Sequence, residues 1–378
     1  MKFIHISDLH IGKRVNGFSM LEDQKFILDK IIEIIKEQSP DAVFIAGDVY
    51  DKSLPPEDAV RLFDYFLVTL AHIKIKTFVI SGNHDSAERI AFGSKLMETD
   101  GVYISPVYHG DIYPIELNDE YGIVRIYMLP FIKPAHVRAA FPDAELESYT
   151  DAIRTAIEKM NIDTTVRNIL ITHQFVTGAS RCDSEDISVG GTDNVDASVF
   201  APFDYTALGH IHGPQNAGSN NIRYCGSPLK YSFSECKHEK SVTLGELGTK
   251  GELRISEIPL TPLHNMQELR DCFETLTDPA FYKNVATDDY MHITLTDEND
   301  IPDAISELRK IYPNIMILDY DNTRSKSEFD FSSTDNIINS DPVSLFSEFY
   351  MMCNGIELND EQHELIRELI TEIWEDNI

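Results

Sequence analysis

The chain has 378 residues, with 32 Lys and Arg against 63 Asp and Glu, a formal net charge of −31. Its 42 % hydrophobic and 10 % aromatic content is that of a globular protein long enough for two or three domains, not of a disordered chain. No apolar run approaches the ~20 residues that span a bilayer. Met1 to Asp8 turns polar too early for a secretory signal. The five cysteines (Cys182, Cys225, Cys236, Cys272, Cys353) are odd in number and lack C-x-x-C spacing. Membrane and disulfide-framework classes are thereby excluded, and a reducing, cytoplasmic setting is expected.

The charge is uneven. Residues 264–378 hold 7 basic and 26 acidic residues, a net −19, while residues 1–263 carry the other −12. Phosphate contacts need Lys and Arg, so a uniformly acidic surface would bind nucleic acid poorly. The skew leaves the first part of the chain free to carry local basic patches.

In chain order, short apolar runs rich in β-branched residues predict strands at 3–6, 42–46, 77–80, 123–129, 169–171, 205–208, 222–225 and 241–244. Helical spacing predicts helices at 22–36 and 57–72, an alternation that marks an α/β fold. The second helix is apolar on more than one face: Phe63 and Phe66 repeat on one, Val60 and Val68 on another. A full core around it would explain that, and so would a second copy of the chain. Pro259, Thr261 and Pro262 suggest a boundary near 263. Beyond it we expect a small α/β unit at 264–320 (helix 265–276, strand 290–296, helix 302–312, strand 315–319), then a linker at 321–340. Two helices follow at 341–378, the first opened by Asp341-Pro342 and closed by Gly355.

Five polar clusters close five of the apolar runs: Asp8-Leu9-His10, Gly47-Asp48-Val49-Tyr50-Asp51, Gly82-Asn83-His84-Asp85, Thr172-His173 and Gly209-His210-Ile211-His212. In α/β sheets sites assemble at the carboxyl ends of strands, so the five can share one crevice. Asp8 and His10, at i and i+2, project to one side if the strand persists, and His210 and His212 repeat the spacing. Imidazole, carboxylate and amide donors without thiolate suit two divalent ions of the manganese, iron or zinc kind, with a carboxylate such as Asp48 able to bridge them. Two such ions a few ångströms apart hydrolyse phosphoesters. His84 is then the candidate general acid, with Asp51 accepting its other ring proton.

The order D-x-H, G-D-x-x-D, G-N-H-D, H, G-H-x-H resembles the calcineurin-like metallophosphoesterase superfamily. That resemblance implies an αββα sandwich with one ion on Asp8, His10, Asp48 and His212. The other ion would lie on Asp48, Asn83, His173 and His210, with His84 catalytic. Within the superfamily, Gly82-Asn83-His84-Asp85-Ser86-Ala87-Glu88-Arg89, the stretch from Asp183 to Ser198, and Tyr224 to Glu235 with its Gly226-Ser227-Pro228-Leu229-Lys230-Tyr231 resemble the SbcD family of bacterial nuclease subunits. This implies a manganese-dependent exonuclease on duplex ends and endonuclease on single strands and hairpins, serving DNA repair, recombination and replication. It also implies an SbcC-type ATPase partner gripped by residues 341–378. A homodimer would form through helix 57–72, with Phe63 and Phe66 as contacts, and the helix after Asn83-His84. The chain has no G-x-x-x-x-G-K-[ST] loop, consistent with ATP being handled elsewhere. Lys13, Arg14, Arg89, Arg181 and Lys230 are candidate DNA contacts. Two other readings stay open: a phosphodiesterase or phosphatase for small substrates, which the acidity would suit, and a non-catalytic scaffold of the ATPase complex.

Overall fold

The run after Met1 forms β1 (Lys2–Ile6), with Phe3, Ile4 and Ile6 buried. β1, β2 (Ala42–Ala46) and β3 (Lys76–Ile80) lie parallel. Parallel neighbours require crossovers, supplied here by α1 (Leu21–Gln38) and α2 (Glu57–His72). The structure, a computed structural model, describes residues 1–185, 194–299, 301–322 and 342–375. The chain divides into two units, Met1–Asn265 and Met266–Ile378. Most of the expected 321–340 linker and part of the stretch from Asp183 to Ser198 fall outside the described residues.

The first unit continues with β4 (Val102–Ile104), β5 (Ile115–Asp119), β6 (Gly122–Leu129), α3 (Pro134–Ala140), α4 (Tyr149–Lys159), β7 (Arg167–His173) and β8 (Tyr205–Gly209). It closes with β9 (Gln215–Ala217), β10 (Ser219–Tyr224), β11 (Ser241–Leu247) and β12 (Leu253–Pro259). Two six-stranded sheets result, ordered β12-β11-β1-β2-β3-β4 and β9-β10-β8-β7-β6-β5. Their inner faces share one core in which Phe3, Phe44 and Phe78 of the first sheet meet Ile126, Ile169 and Tyr205 of the second. The Phe3 ring lies 4.8 Å from that of Tyr205. The outer face of the second sheet buries Leu129 and Leu170 against Val137 of α3 and Ile153 and Ile157 of α4. The unit is thus an α/β sandwich. Strands β1, β2 and β3 run parallel in one sheet, β7 and β8 in the other, and the register sets Gly209 beside His173.

The second unit departs from expectation at its start. Residues 265–276 do not form one helix: β13 (Met266–Asp271) is a strand, followed by the short α5 (Phe273–Thr277). Parallel pairing with β14 (Tyr290–Leu295), from Met266↔Tyr290 to Asp271↔Leu295, overrides the local helical spacing. The helix expected at 302–312 is only α6 (Ala304–Leu308), its start set by the left-handed backbone of Asp303 (φ 52°). β15 (Ile315–Tyr320) completes a three-stranded sheet whose core holds Leu276, Ile293, Leu308 and Tyr312. The chain ends in α7 (Pro342–Asn354) and α8 (Asp360–Glu375), bridged by Gln362 Nε2 to Tyr350 Oη at 3.3 Å. Phe349, Met351, Leu365 and Leu369 on this pair are exposed. Among the described residues no helix is long and apolar enough to cross a membrane.

The two apolar faces of α2 have different fates. Phe63 and Phe66 are 5 % and 0 % exposed, inside their own unit, whereas Val60 and Val68 are each 44 % exposed. Phe63 and Phe66 are therefore core residues, not contacts for a second copy. Phe66→Glu is expected to cost about 3–5 kcal/mol by stranding a charge in the core. Val68→Glu should leave stability nearly unchanged, and thermal unfolding of the two variants checks the difference.

Candidate metal centre

β1 ends at Ile6, and the extended geometry expected through Asp8 and His10 does not persist. Both residues are left-handed (φ 53° and 43°), as is Asp48 (φ 48°), and His210 has φ 103°. The cause is lacing between strand ends: Asp8 N–H donates to Gly47 O (3.1 Å), His10 N–H to Asp48 O (3.0 Å) and Ile11 N–H to Val49 O (2.9 Å). Gly47 itself turns out of β2 with φ +87°. Gly82 and Gly209 serve instead by close approach. A Cβ on Gly82 would stand 2.1 Å from Asp48 Oδ1, and one on Gly209 would stand 1.9 Å from Ala46 O.

Asp48 is at the middle, 2 % exposed. Its Oδ1 accepts the His84 N–H at 2.9 Å; its Oδ2 lies 3.3 Å from His173 Nε2 and 3.7 Å from His10 Nε2. Burial raises its pKa, but the imidazoles of His173, His10 and His84 outweigh burial and hold it well below the usual carboxylate range. Asp8 has no such surplus: burial pushes it up to about 6, although His210 N–H donates to its two oxygens at 3.0 and 3.2 Å. Burial also lowers His10 strongly and brings His210 down to about 3, leaving both neutral with lone pairs available. Burial opposes charge on His173 as well, but Asp48 beside it wins and raises it to about 9.

The remaining donors converge on the same place. Asn83 Oδ1 is 3.0 Å from His173 Nε2 and 2.9 Å from His210 Nδ1, and His10 Nε2 is 3.1 Å from His212 Nε2. His173 Nδ1–H donates to Ala46 O at 2.8 Å, which turns Nε2 toward Asp48. Donors about 2.1 Å from one ion stand roughly 3 Å apart when they subtend a right angle, so these separations fit metal ligation. Three overlapping groups have their donor atoms within 4.8 Å of one another: Asp8/His10/His212, His10/Asp48/His84 and Asp8/Asp48/His173. A fourth, Cys182/His212/Glu235, includes a thiol that burial pushes up to about 12, which makes it a poor ligand.

Two sequence expectations change in detail. His84 Nδ1 meets the main-chain carbonyl of Asp51 at 3.0 Å, while the Asp51 carboxylate pairs with Lys13 Nζ at 2.8 Å. The proton on Nδ1 is therefore fixed by a backbone oxygen, and the acidic side chain has another use. Asp85, to which the sequence assigned no role, accepts from Val49 N–H (3.1 Å), Tyr50 N–H (2.9 Å) and Gly82 N–H (2.9 Å), pinning the second cluster to the third. Of the five basic candidates, Arg14 and Arg89 are exposed. Lys13 is held by Asp51, Lys230 Nζ donates to Cys236 O at 2.5 Å, and the Arg181 guanidinium lies 3.4 Å from the Phe175 ring centre.

A sandwich of two sheets with Asp, Asn and His donors gathered at its parallel strand ends defines a metallophosphoesterase, and the model of the family described as calcineurin-like phosphoesterase matches residues 1–214. A second model, described as the type 5 capsule protein repressor C-terminal domain, matches residues 262–353. The chain is 34 % identical over 378 residues, 98 % of its own length and of the relative's, to the SbcD subunit of the nuclease SbcCD from Staphylococcus epidermidis. It belongs to the calcineurin-like phosphoesterases and, within them, to the SbcD family. Similar solved structures include a dimetal phosphatase from Danio rerio (12 % identity, TM-score 0.42, covering 69 % of this chain and 98 % of that one). Another is the phosphoesterase Yfce of E. coli (13 %, TM-score 0.27, 69 % and 100 %).

Gly82→Ala is expected to displace Asp48 and abolish tight uptake of divalent ions while the sheets still form. Equilibrium dialysis against manganese, alongside circular dichroism, checks this.

Proposed function

We propose that this chain is the nuclease subunit of an SbcCD-type complex, a two-metal phosphodiesterase that cuts DNA at duplex ends and at single-stranded or hairpin structures. The observation that carries the reading is the position of the Asp48 carboxylate, whose Oδ2 lies 3.7 Å from His10 Nε2 of one proposed ligand set and 3.3 Å from His173 Nε2 of the other. One ion would be held by Asp8, His10, Asp48 and His212 and the other by Asp48, Asn83, His173 and His210. Manganese suits these hard and borderline donors. Such a pair activates water and neutralises charge on a phosphodiester.

The chain's own groups do the rest. His84, its Nδ1 proton held by the Asp51 carbonyl, offers Nε2 to the leaving oxygen as proton donor. Arg14 and Arg89 are the cations best suited to track a DNA backbone. Lys13, Arg181 and Lys230 are tethered close by and shape the rim. α7 and α8, with exposed Phe349, Met351, Leu365 and Leu369, are the grip for an SbcC-type ATPase, their relative being named as one subunit of SbcCD. A homodimer would use Val60 and Val68 of α2 with Phe92 and Leu96 beyond the third cluster, all exposed apolar side chains. Among the described residues Cys182, Cys225 and Cys272 are free thiols, which suits a reducing cytoplasm. The acidity of the chain favours a second reading, a small-substrate phosphodiesterase. Comparing hairpin DNA with bis-p-nitrophenyl phosphate in manganese separates the two.

His84→Gln should retain two manganese ions and lower hairpin cleavage by about 10²–10⁴-fold. Undiminished cleavage would remove His84 from the chemistry. Deleting residues 341–378 should abolish co-purification with an SbcC-type ATPase and spare basal manganese-dependent activity; persistent binding would refute the assignment of the grip.

A further inference from the structure

The connection from β10 to β11 contains Ser227, Tyr231, Glu235 and Lys240, none of which holds a place among the proposed ligands. All four are nonetheless buried polar side chains. Tyr231 Oη donates to Leu9 O at 2.5 Å and accepts from Gln24 Nε2 at 3.1 Å; the same Gln24 amide donates to His10 O at 2.7 Å. This pair grips the left-handed turn that presents Asp8 and His10.

Glu235 grips His212. Ser184 Oγ donates to Glu235 Oε1 at 2.6 Å and lies 2.7 Å from His212 Nδ1. A hydroxyl has one proton; given to the carboxylate, it leaves the oxygen to accept from Nδ1–H. The His212 ring is thereby fixed with Nε2 facing His10 Nε2 at 3.1 Å. Lys240 Nζ holds Glu235 Oε2 at 2.5 Å, the His212 carbonyl at 2.9 Å and Ser227 Oγ at 2.9 Å. Glu235 Oε1 also accepts the Tyr231 N–H at 3.1 Å, which joins the two grips into one piece.

The hydrogen bonds of this brace end on Leu9, His10 and His212; the link across to the other half is the His210 N–H, which donates to the Asp8 carboxylate. The other half is tied differently, His173 to the Ala46 carbonyl and both His173 and His210 to Asn83. Glu235 and Glu185, which accepts the His212 N–H at 2.6 Å, both stand on the braced side, with Lys240 as the counter-ion of Glu235. We infer that Tyr231, Ser184, Glu235 and Lys240 are positioning residues for the Asp8/His10/His212 half alone, so that the two ions are held by separable devices. The inference rests on the two-metal reading proposed above.

The test uses the full chain, manganese as the only added ion, equilibrium dialysis to count ions, and electron paramagnetic resonance to tell a coupled pair from a single ion. Wild type should bind two. Ser184→Ala and Glu235→Gln should each keep one ion at wild-type affinity and bind the other about 10–100-fold more weakly, with the coupled signal replaced by that of an isolated ion. Ser184→Thr, which keeps the hydroxyl, should restore both. Equal weakening of both ions, or none, overturns the inference. A wild type that binds fewer than two overturns the two-metal reading itself. Should Glu235→Gln fail to fold, Ser184→Ala decides, because Ser184 is only half-buried and its loss leaves the Lys240–Glu235 pair intact.

Discussion

A carboxylate taken out of water must be surrounded by compensating charge and hydrogen bonds, or it destabilises the fold by several kcal/mol. Asp48 meets this demand with three imidazoles and a backbone N–H at the place where two sheets bring their strand ends together. The surrounding architecture follows from that placement. Gly82 and Gly209 are bare because Asp48 and Ala46 occupy the space of their side chains. Asp85 ties two loops by three N–H groups because loops that carry a charge into a dry crevice must not drift. The parallel arrangement of β1, β2 and β3, and of β7 and β8, delivers all these loops to one edge.

What could be read in the sequence was the part encoded locally. Each of the five polar clusters follows an apolar run, so its location at a strand end was visible, and the run of cluster types pointed to divalent ions and phosphoester chemistry. α2 matched its apolar spacing from Glu57 to His72. Elements whose stability comes from partners were less visible. β12 leaves four of its seven residues exposed and buries none fully, and β4 has only three residues. β13 carries a helical pattern that only its pairing with β14 overrules. α4 carries a local signal of its own, since Ser148 and Asp151 form a reciprocal cap at its start.

The supports of the site were the hardest to foresee. Gln24 and Tyr231 are separated by 207 positions, and Tyr231 and Leu9 by 222. No local pattern connects residues so far apart. Asp51 shows a related limit. Its type suggested a carboxylate partner for His84, yet a main-chain carbonyl makes the contact and any residue type would supply one. Acidity, the most obvious global feature, is likewise a poor guide to the site, since it is concentrated beyond residue 263.

Asp8, His10 and Asp48 adopt left-handed backbone angles, which cost L-amino acids roughly 1–2 kcal/mol apiece. An unfolded or partly folded chain therefore seldom assembles this donor set by chance. A zinc finger recruits its ion to drive collapse; here backbone hydrogen bonds between strand ends set the donors, so on the two-metal reading the cations would enter a socket that the closed sheets have built. On that reading, newly synthesised chains would reach their native shape before loading, and metal starvation would give a folded but silent protein instead of a misfolded one.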